Sequence, residues 1–249
     1  MRLRYIACYL LFFRLAAWGV EVTWTGAAMP LVWSDPSNWA PNQVPVASDA
    51  TVFSDQGAVA LGTNQVTSIM NLAAVATVDG LHFSTSSGLV HRVDLAGNTL
   101  KLTGDFDASI NQVGESTQAS IVGGNLLIGD SSNRVNNLRV GFFDASGAGE
   151  QHANIALDVA LLEAWVNNVE IGRRLVGDSV ALDPVLDLSS SDVVILDAAS
   201  HLYLGTINGN GASRSVAGTL QLPTNGVSTV RTPQIWLGDS PGQGNQGAT

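Results

Sequence analysis

Lysine and cysteine are almost missing from this chain: Lys101 and Cys8 are the only ones among 249 residues. Lysine and arginine together number 11 against 21 acids, a net charge of −10. Nucleic acids and anionic membranes are recognised through cationic patches, so this shortage of bases argues against both as partners. A lone cysteine excludes an internal disulfide and any thiolate metal cluster, leaving burial and backbone hydrogen bonds to hold the fold. Charged residues are also scarce, at 13% against 45% hydrophobic, which excludes a disordered acidic tail. Long apolar stretches are lacking too. The run Ile6–Phe13 has eight residues, far short of the roughly 20 that span a bilayer.

What that run does fit is an export signal. Arg2 and Arg4 give a basic start, the apolar run follows, and Ala16, Ala17 and Gly19 supply small residues near a cleavage point. Residues 1–19 are therefore expected to be a signal peptide, with the mature chain secreted or held at a bacterial cell surface. Arg14 interrupts the stretch, and a short buried helix is the alternative. Cleavage near Gly19 would remove three arginines, Cys8 and no acid, taking the net charge to −13.

The strongest pattern is a repeat. Leu138-Arg139-Val140-Gly141, Val169-Glu170-Ile171-Gly172, Leu202-Tyr203-Leu204-Gly205 and Ile235-Trp236-Leu237-Gly238 end alike, with their glycines 31, 33 and 33 residues apart. Val135-Asn136-Asn137 and Val166-Asn167-Asn168 precede the first two. Each unit opens on another apolar alternation: Leu126-Leu127-Ile128, Ile155-Ala156-Leu157, Leu186-Asp187-Leu188 and Leu220-Gln221-Leu222. Later copies add a middle piece, such as Val193-Val194-Ile195, for which the first copy looks too short. A Gly, Asn and Ser-rich loop completes the unit, and Asp239–Gly247 is the last of these.

Period-two alternation puts Leu138, Val169, Leu202 and Ile235 on one side of the closing strand and Arg139, Glu170, Tyr203 and Trp236 on the other. A single unit cannot bury its apolar side. Stacking units about 4.8 Å apart does so and satisfies the backbone ladder, while the closing glycine permits a turn with positive φ. The expectation is an all-β chain, a parallel β-solenoid. A sandwich of short strands is the rival. Ala153–Trp165 also carries residues that favour a helix, but the repeat register assigns it to strands.

Residues 22–110 differ in style, and over 22–104 the wording becomes recognisable. Thr23-Trp24-Thr25-Gly26, Trp33-Ser34-Asp35-Pro36-Ser37-Asn38-Trp39, Val44-Pro45 and Asp49-Ala50-Thr51-Val52-Phe53 resemble the opening of autotransporter-associated β-strand repeat proteins. Val78–Phe83 and Gly97–Gly104 follow the same style. That resemblance implies a right-handed parallel β-helix displayed or released at the cell surface, with no common catalytic residues. This chain departs from it at Asn42 and Gln43, where a glycine is usual, and shows no translocator barrel or Pro-Glu-Pro anchor. The organisation expected is a signal at 1–19, an aromatic-rich N-terminal cap and first rungs over 20–110, and rungs of about 33 residues over 111–249. The chain stops in a glycine-rich turn, as part of a longer polypeptide would. Trp24, Trp33 and Trp39 are expected to cover the first rung, the alternative being a sugar-binding platform.

Chemistry is sparse. Glycoside hydrolysis requires two carboxyls roughly 5–9.5 Å apart, and Asp105 with Asp107, or Asp183 with Asp187, are the pairs that share a strand side. Among 21 acids such pairs arise by chance. His82, His91, His152 and His201 show no metal spacing and no nucleophile motif accompanies them, so surface or turn positions are expected. Gly129-Asp130-Ser131-Ser132-Asn133 and Gly238-Asp239-Ser240 carry oxygens that suit calcium, but Asp after a strand-ending Gly is ordinary turn chemistry. Arg139 is expected to stack on Glu170, and Tyr203 on Trp236, outside the solenoid, the ion pair contributing at most about 1 kcal/mol if exposed.

No catalytic, cofactor-binding or metal-ligating residue is assigned. The function expected is a non-enzymatic secreted or surface scaffold, adhesin-like, with surface polysaccharide or other cell-surface components as partners. A polysaccharide-degrading or carbohydrate-binding β-helix is the alternative.

Overall fold

Gly141, Gly172, Gly205 and Gly238 stand in one line. Val140 pairs with Ile171, Ile171 with Leu204 and Leu204 with Leu237, in parallel register, and each pair precedes two of these glycines. Their φ values are +66°, +68°, +63° and +57°, the left-handed region that costs other residues about 1–2 kcal/mol. The repeat is thus a stack. The computed structural model describes residues 19–57, 65–85, 89–109, 116–143, 148–175, 179–207 and 216–238. The expected signal segment up to residue 18, with Cys8, and the expected last loop, Asp239–Gly247, lie outside the described residues.

The molecule is a parallel β-solenoid with three faces. The first face holds β1 (Glu21–Trp24), β3 (Ala50–Ser54), β6 (Gly80–Ser84), β9 (Phe106–Ala108) and β12 (Val135–Val140). It continues through the second halves of β14 (Leu161–Arg174) and β17 (Val193–Ile207) to β20 (Gln234–Leu237). The second face holds β4 (Gln65–Ile69), β7 (Val90–Asp94), β10 (Ser116–Val122), β13 (Ala148–Asp158), β16 (Val185–Asp187) and β18 (Thr219–Gln221). The third holds β5 (Val75–Val78), β8 (Thr99–Leu102), β11 (Asn125–Ile128), the first halves of β14 and β17, and β19 (Val227–Arg231).

Alternation decides what each strand buries. On the first face the inner columns are Val22, Thr51, Leu81, Phe106, Leu138, Val169, Leu202 and, beside it, Trp24, Phe53, Phe83, Ala108, Val140, Ile171. The third face contributes Leu100, Leu126, Leu162 and Val194 in line, all fully buried. These columns merge into one continuous core. Ala153–Trp165 is extended, paired with β10 and β16 through β13 and with β11 and β17 through β14. Ladder partners on both sides override its helical propensity.

One sequence expectation is corrected. Leu126 pairs with Leu162, not Ile155, so Leu126-Leu127-Ile128 is the middle strand of its rung. The opener aligned with Ile155-Ala156-Leu157 is Ala119-Ser120-Ile121. Ala119 is small and Ser120 polar, which hides the strand from an apolar search, and the first unit is complete.

Past the glycine line the chain does not turn back at once. Phe143 bridges Arg174, Arg174 pairs with Ile207, and all three are buried in a side ridge. The return runs along the start of β13, β15 (Ser179–Leu182) and Val216. A Cβ on Gly141 would lie 2.5 Å from Pro184, and one on Gly205 2.9 Å from the backbone of Val216 and Gly218. Glycine is needed there both for its conformation and for the close return of the chain.

The N-terminal end is closed by aromatic rings. β2 (Trp39–Ala40) pairs antiparallel with β1, and Val32 bridges Ile69 so that the Leu31–Trp33 segment runs along β4. Trp24, Trp33, Trp39 and Phe53 are fully buried, with Trp39 edge-on to Trp24 at 5.0 Å and to Trp33 at 5.2 Å. Asn38 and Asp49, both in the motif resembling autotransporter repeats, brace this cap. Asn38 accepts from the Ala28 N–H and donates to the Pro30 and Val32 carbonyls. Asp49 accepts from the N–H groups of Val20 and Val46. The tryptophans cover the first rung and form no exposed platform.

Candidate functional site

The outer column of the first face gathers most of the polar chemistry. Parallel pairing places His82, Asp107, Arg139, Glu170, Tyr203 and Trp236 one above another. Arg139 Nε donates to Glu170 Oε2 at 2.7 Å, and the Arg173 guanidinium holds the other oxygen. Arg173 also lies 4.0 Å from the Tyr203 ring centroid, and Arg139 4.2 Å from that of Phe142. Glu170 is only 1% exposed. The expected stacking of Arg139 on Glu170 holds, but the carboxylate is enclosed by its two arginines. The pair therefore departs from the weak, solvated class on which the ceiling of about 1 kcal/mol rested.

At the lower end of this column lies a groove of about 380 Å³ lined by Glu21, Thr23, Val52, His82 and Asp107. Asp107 Oδ1 accepts from the Ser109 N–H at 2.7 Å and from its hydroxyl, and Oδ2 faces Arg139 at 3.9 Å. Asp105 points to the same side of β9 but is held by Asn137, whose N–H and Nδ2 each donate to it at 3.0 Å. The two carboxyls thus share a side, as alternation requires, and each serves a neighbour. Asp183 contacts His152, while Asp187 accepts from the Ser189 N–H at 2.9 Å.

The repeated Val-Asn-Asn has the same logic. Asn168 Nδ2 donates to Asn137 Oδ1 at 3.3 Å, and Asn167 to Asn136 at 3.4 Å, forming side-chain ladders at the corner before the first face. On this corner Arg134 donates to the carbonyls of Val166 and Asp197 and to the Asp197 carboxylate at 2.6 Å, tying three rungs together.

Asp130 belongs to the loop considered for calcium. Its Oδ1 accepts from the Ser132 hydroxyl and from the N–H groups of Ser132 and Asn133, and its Oδ2 from Lys101 at 3.1 Å. The Ser132 hydroxyl, then Lys101, hold this carboxyl well below the usual carboxylate range. Its oxygens are engaged in closing the turn. Among the described residues no three His, Cys, Asp or Glu side chains come together to hold a metal ion. The second loop, from Asp239 onward, lies outside the described residues.

The histidines separate. His82 lines the groove, His152 meets Asp183 and His201 stacks on Tyr203 at 5.0 Å. His91 departs from the expectation of a surface or turn position. It occupies the inner column of the second face between Val66 and Ala119, buried, with Nε2 2.8 Å from the Ser54 carbonyl and its ring 5.5 Å from Phe53. Its shared parity with Val93 and Leu95 is the sequence signal that places it inside.

Burial pushes the His91 imidazole below its ordinary value, and the Ser54 hydrogen bond and Asp55 carboxylate recover only part of the shift. The unfolded chain therefore binds more protons than the folded one between the lowered value and about 6.5. Stability from a neutral His91 is complete above that range and is lost as pH falls through it. Urea melts should show the wild type weakening more steeply than His91→Phe on acidification below pH 6.5. Parallel curves would contradict this origin.

No family model, no curated protein and no solved structure matches the chain. The registers make it a parallel β-solenoid, and none of these comparisons assigns it to a narrower family.

Proposed function

We propose that this chain is a non-enzymatic scaffold, secreted or displayed on a bacterial cell surface in the manner of an autotransporter passenger. The observation that supports it most directly is how the outer polar groups are used. Asp105 serves Asn137, Asp107 serves Ser109, Arg139 and Arg173 enclose Glu170, Lys101 meets Asp130 and Arg134 reaches Asp197. Side chains engaged with one another, most of them from one rung to the next, stiffen a long stack and leave few convergent groups for chemistry among the described residues. Export is supported by the basic, apolar and small-residue series over residues 1–19. β1 starts at Glu21, so cleavage after Gly19 would leave every described strand in place.

The test is expression in a Gram-negative host, with fractionation and N-terminal sequencing of the product. A mature protein starting near Val20, outside the cytoplasm and inert toward a panel of bacterial and plant polysaccharides, is expected. Cytoplasmic protein that keeps Met1, or depolymerisation of any polysaccharide, would overturn the proposal.

A second reading, carbohydrate binding, is favoured by one feature. His201, Tyr203 and Trp236 form an aromatic cluster with centroids 5.0–5.7 Å apart. Tyr203 itself is buried and Trp236 half-buried, which limits the stacking surface. Trp236→Ala should change stability by less than about 1 kcal/mol, since the ring is only half-buried on the outer side of the first face. Loss of polysaccharide retention in affinity electrophoresis by this variant would support the second reading, and unchanged mobility of both proteins would remove it.

A further inference from the structure

Polar side chains on the outside of the solenoid are mostly taken: Asp105, Asp130, Glu170 and Asp197 each hold a named neighbour. The groove over β1, β3, β6 and β9 differs. There Glu21, Thr23, His82 and Ser84 line one space of about 380 Å³, and none of their side chains makes a hydrogen bond or ion pair with a described residue. Asp107 stands at the far end, engaged with Ser109 and facing Arg139 at 3.9 Å.

The residue types make the space. Thr23, Val52 and His82 pair in one outer column, so Val52 gives the floor an apolar centre. The neighbouring column runs Glu21, Ala50, Gly80, and its small members leave room beside the imidazole. A Cβ on Gly80 would lie 2.8 Å from His82 Nε2. Gly80 has no positive φ, so glycine serves there to seat the ring rather than to turn the chain. On the other flank Ser54 pairs with Ser84, and Ser109 follows on the next strand. Their hydroxyls are one rung apart, about 4.8 Å.

We propose that this groove binds a neutral mono- or disaccharide. The site goes beyond the scaffold reading and lies toward the opposite end of the first face from His201, Tyr203 and Trp236. The chemistry of the lining selects the ligand. A carboxylate only accepts, while hydroxyls, the Gln56 amide and an imidazole can both donate and accept. Sugar hydroxyls answer both roles, and two adjacent ones can donate to the two oxygens of Glu21. Val52 offers an apolar contact to the C–H side of a sugar ring. Anionic ligands are disfavoured, because among the described residues no lysine or arginine lines the groove and Glu21 and Asp107 would face them. A peptide strand would need main-chain partners, and those of β3 and β6 are already paired on both sides. The volume lies near the lower end of the range of ligand pockets, roughly 300–1,000 Å³, which suits a short sugar.

Cellobiose, lactose, maltose and N,N′-diacetylchitobiose are the probes, with digalacturonate as the anionic control, each titrated into the full chain. At least one neutral disaccharide should give a saturable, millimolar shift of the His82 ring resonances and leave those of His152 and His201 in place. Digalacturonate should bind about tenfold more weakly, or less. By calorimetry, Glu21→Gln and His82→Gln should each weaken the neutral sugar about fivefold or more. Ser84→Tyr, which fills the groove from an outward position, should abolish binding, whereas Trp236→Ala should leave it unchanged. Unaltered circular dichroism checks that each variant is folded. No saturable shift with any neutral probe, digalacturonate bound as tightly, wild-type affinity in both Glu21→Gln and His82→Gln, or dependence on Trp236 instead of the groove would each overturn the proposal.

Discussion

Replacing Trp39 by alanine should cost about 3–5 kcal/mol, the range for truncating a buried large aromatic ring. Three rings rest on this indole: Trp24, Trp33 and Phe53, the last at 6.0 Å. Its Nε1 donates to the Trp33 carbonyl at 2.9 Å, so truncation also leaves a buried acceptor without its partner. The loss falls at one end of a stack in which each rung contacts chiefly its neighbours. Damage should therefore begin there. Hydrogen exchange should rise in β1, β3 and β6 before it rises in β13, β14 or β17, and the urea transition should broaden or split. A cost below about 1 kcal/mol would mean that the cap is not what closes the stack. The same substitution at the half-buried Trp236 should cost far less.

How much of this was legible beforehand depended on which rung carried a visible marker. The glycines from Gly141 to Gly238 could be aligned by eye because a left-handed backbone leaves glycine as the cheap choice at each. In the same column of the earlier rungs stand Ser54, Ser84 and Ser109, which do not adopt positive φ. The rung joining Leu81 to Phe106 takes only 25 residues. Period and marker both disappear there, and the N-terminal half showed itself through tryptophans instead. The side ridge was invisible for another reason. Phe143, Arg174 and Ile207 share no residue type, and their association is set by what lies above and below them. His91 was readable from parity, but a histidine on an inner column needs Ser54 as its acceptor, and that partner is 37 residues away.

Glu170 shows most clearly what pairing alone could not convey. Alternation correctly turns it outward and sets Arg139 beneath it, yet burial on an outer face needs cover from three directions. Arg139 supplies it from the rung below, Tyr203 from the rung above and Arg173 from further along its own strand. Glu170→Gln keeps the size and removes the charge, leaving two guanidinium groups 25% and 18% exposed beside a neutral amide. Breaking a fully buried pair costs roughly 3–5 kcal/mol. The partial exposure of both arginines allows water to solvate them, so a loss of about 2–3 kcal/mol is expected. Arg139 retains Asp107 at 3.9 Å, and Arg173 retains the Tyr203 ring, so the fold should survive. A double-mutant cycle with Arg139→Met, read by urea denaturation, should return a coupling above 1 kcal/mol, beyond the ordinary range of solvated surface pairs. Additive effects would show instead that Glu170 is held by packing, with the ion pair an accessory.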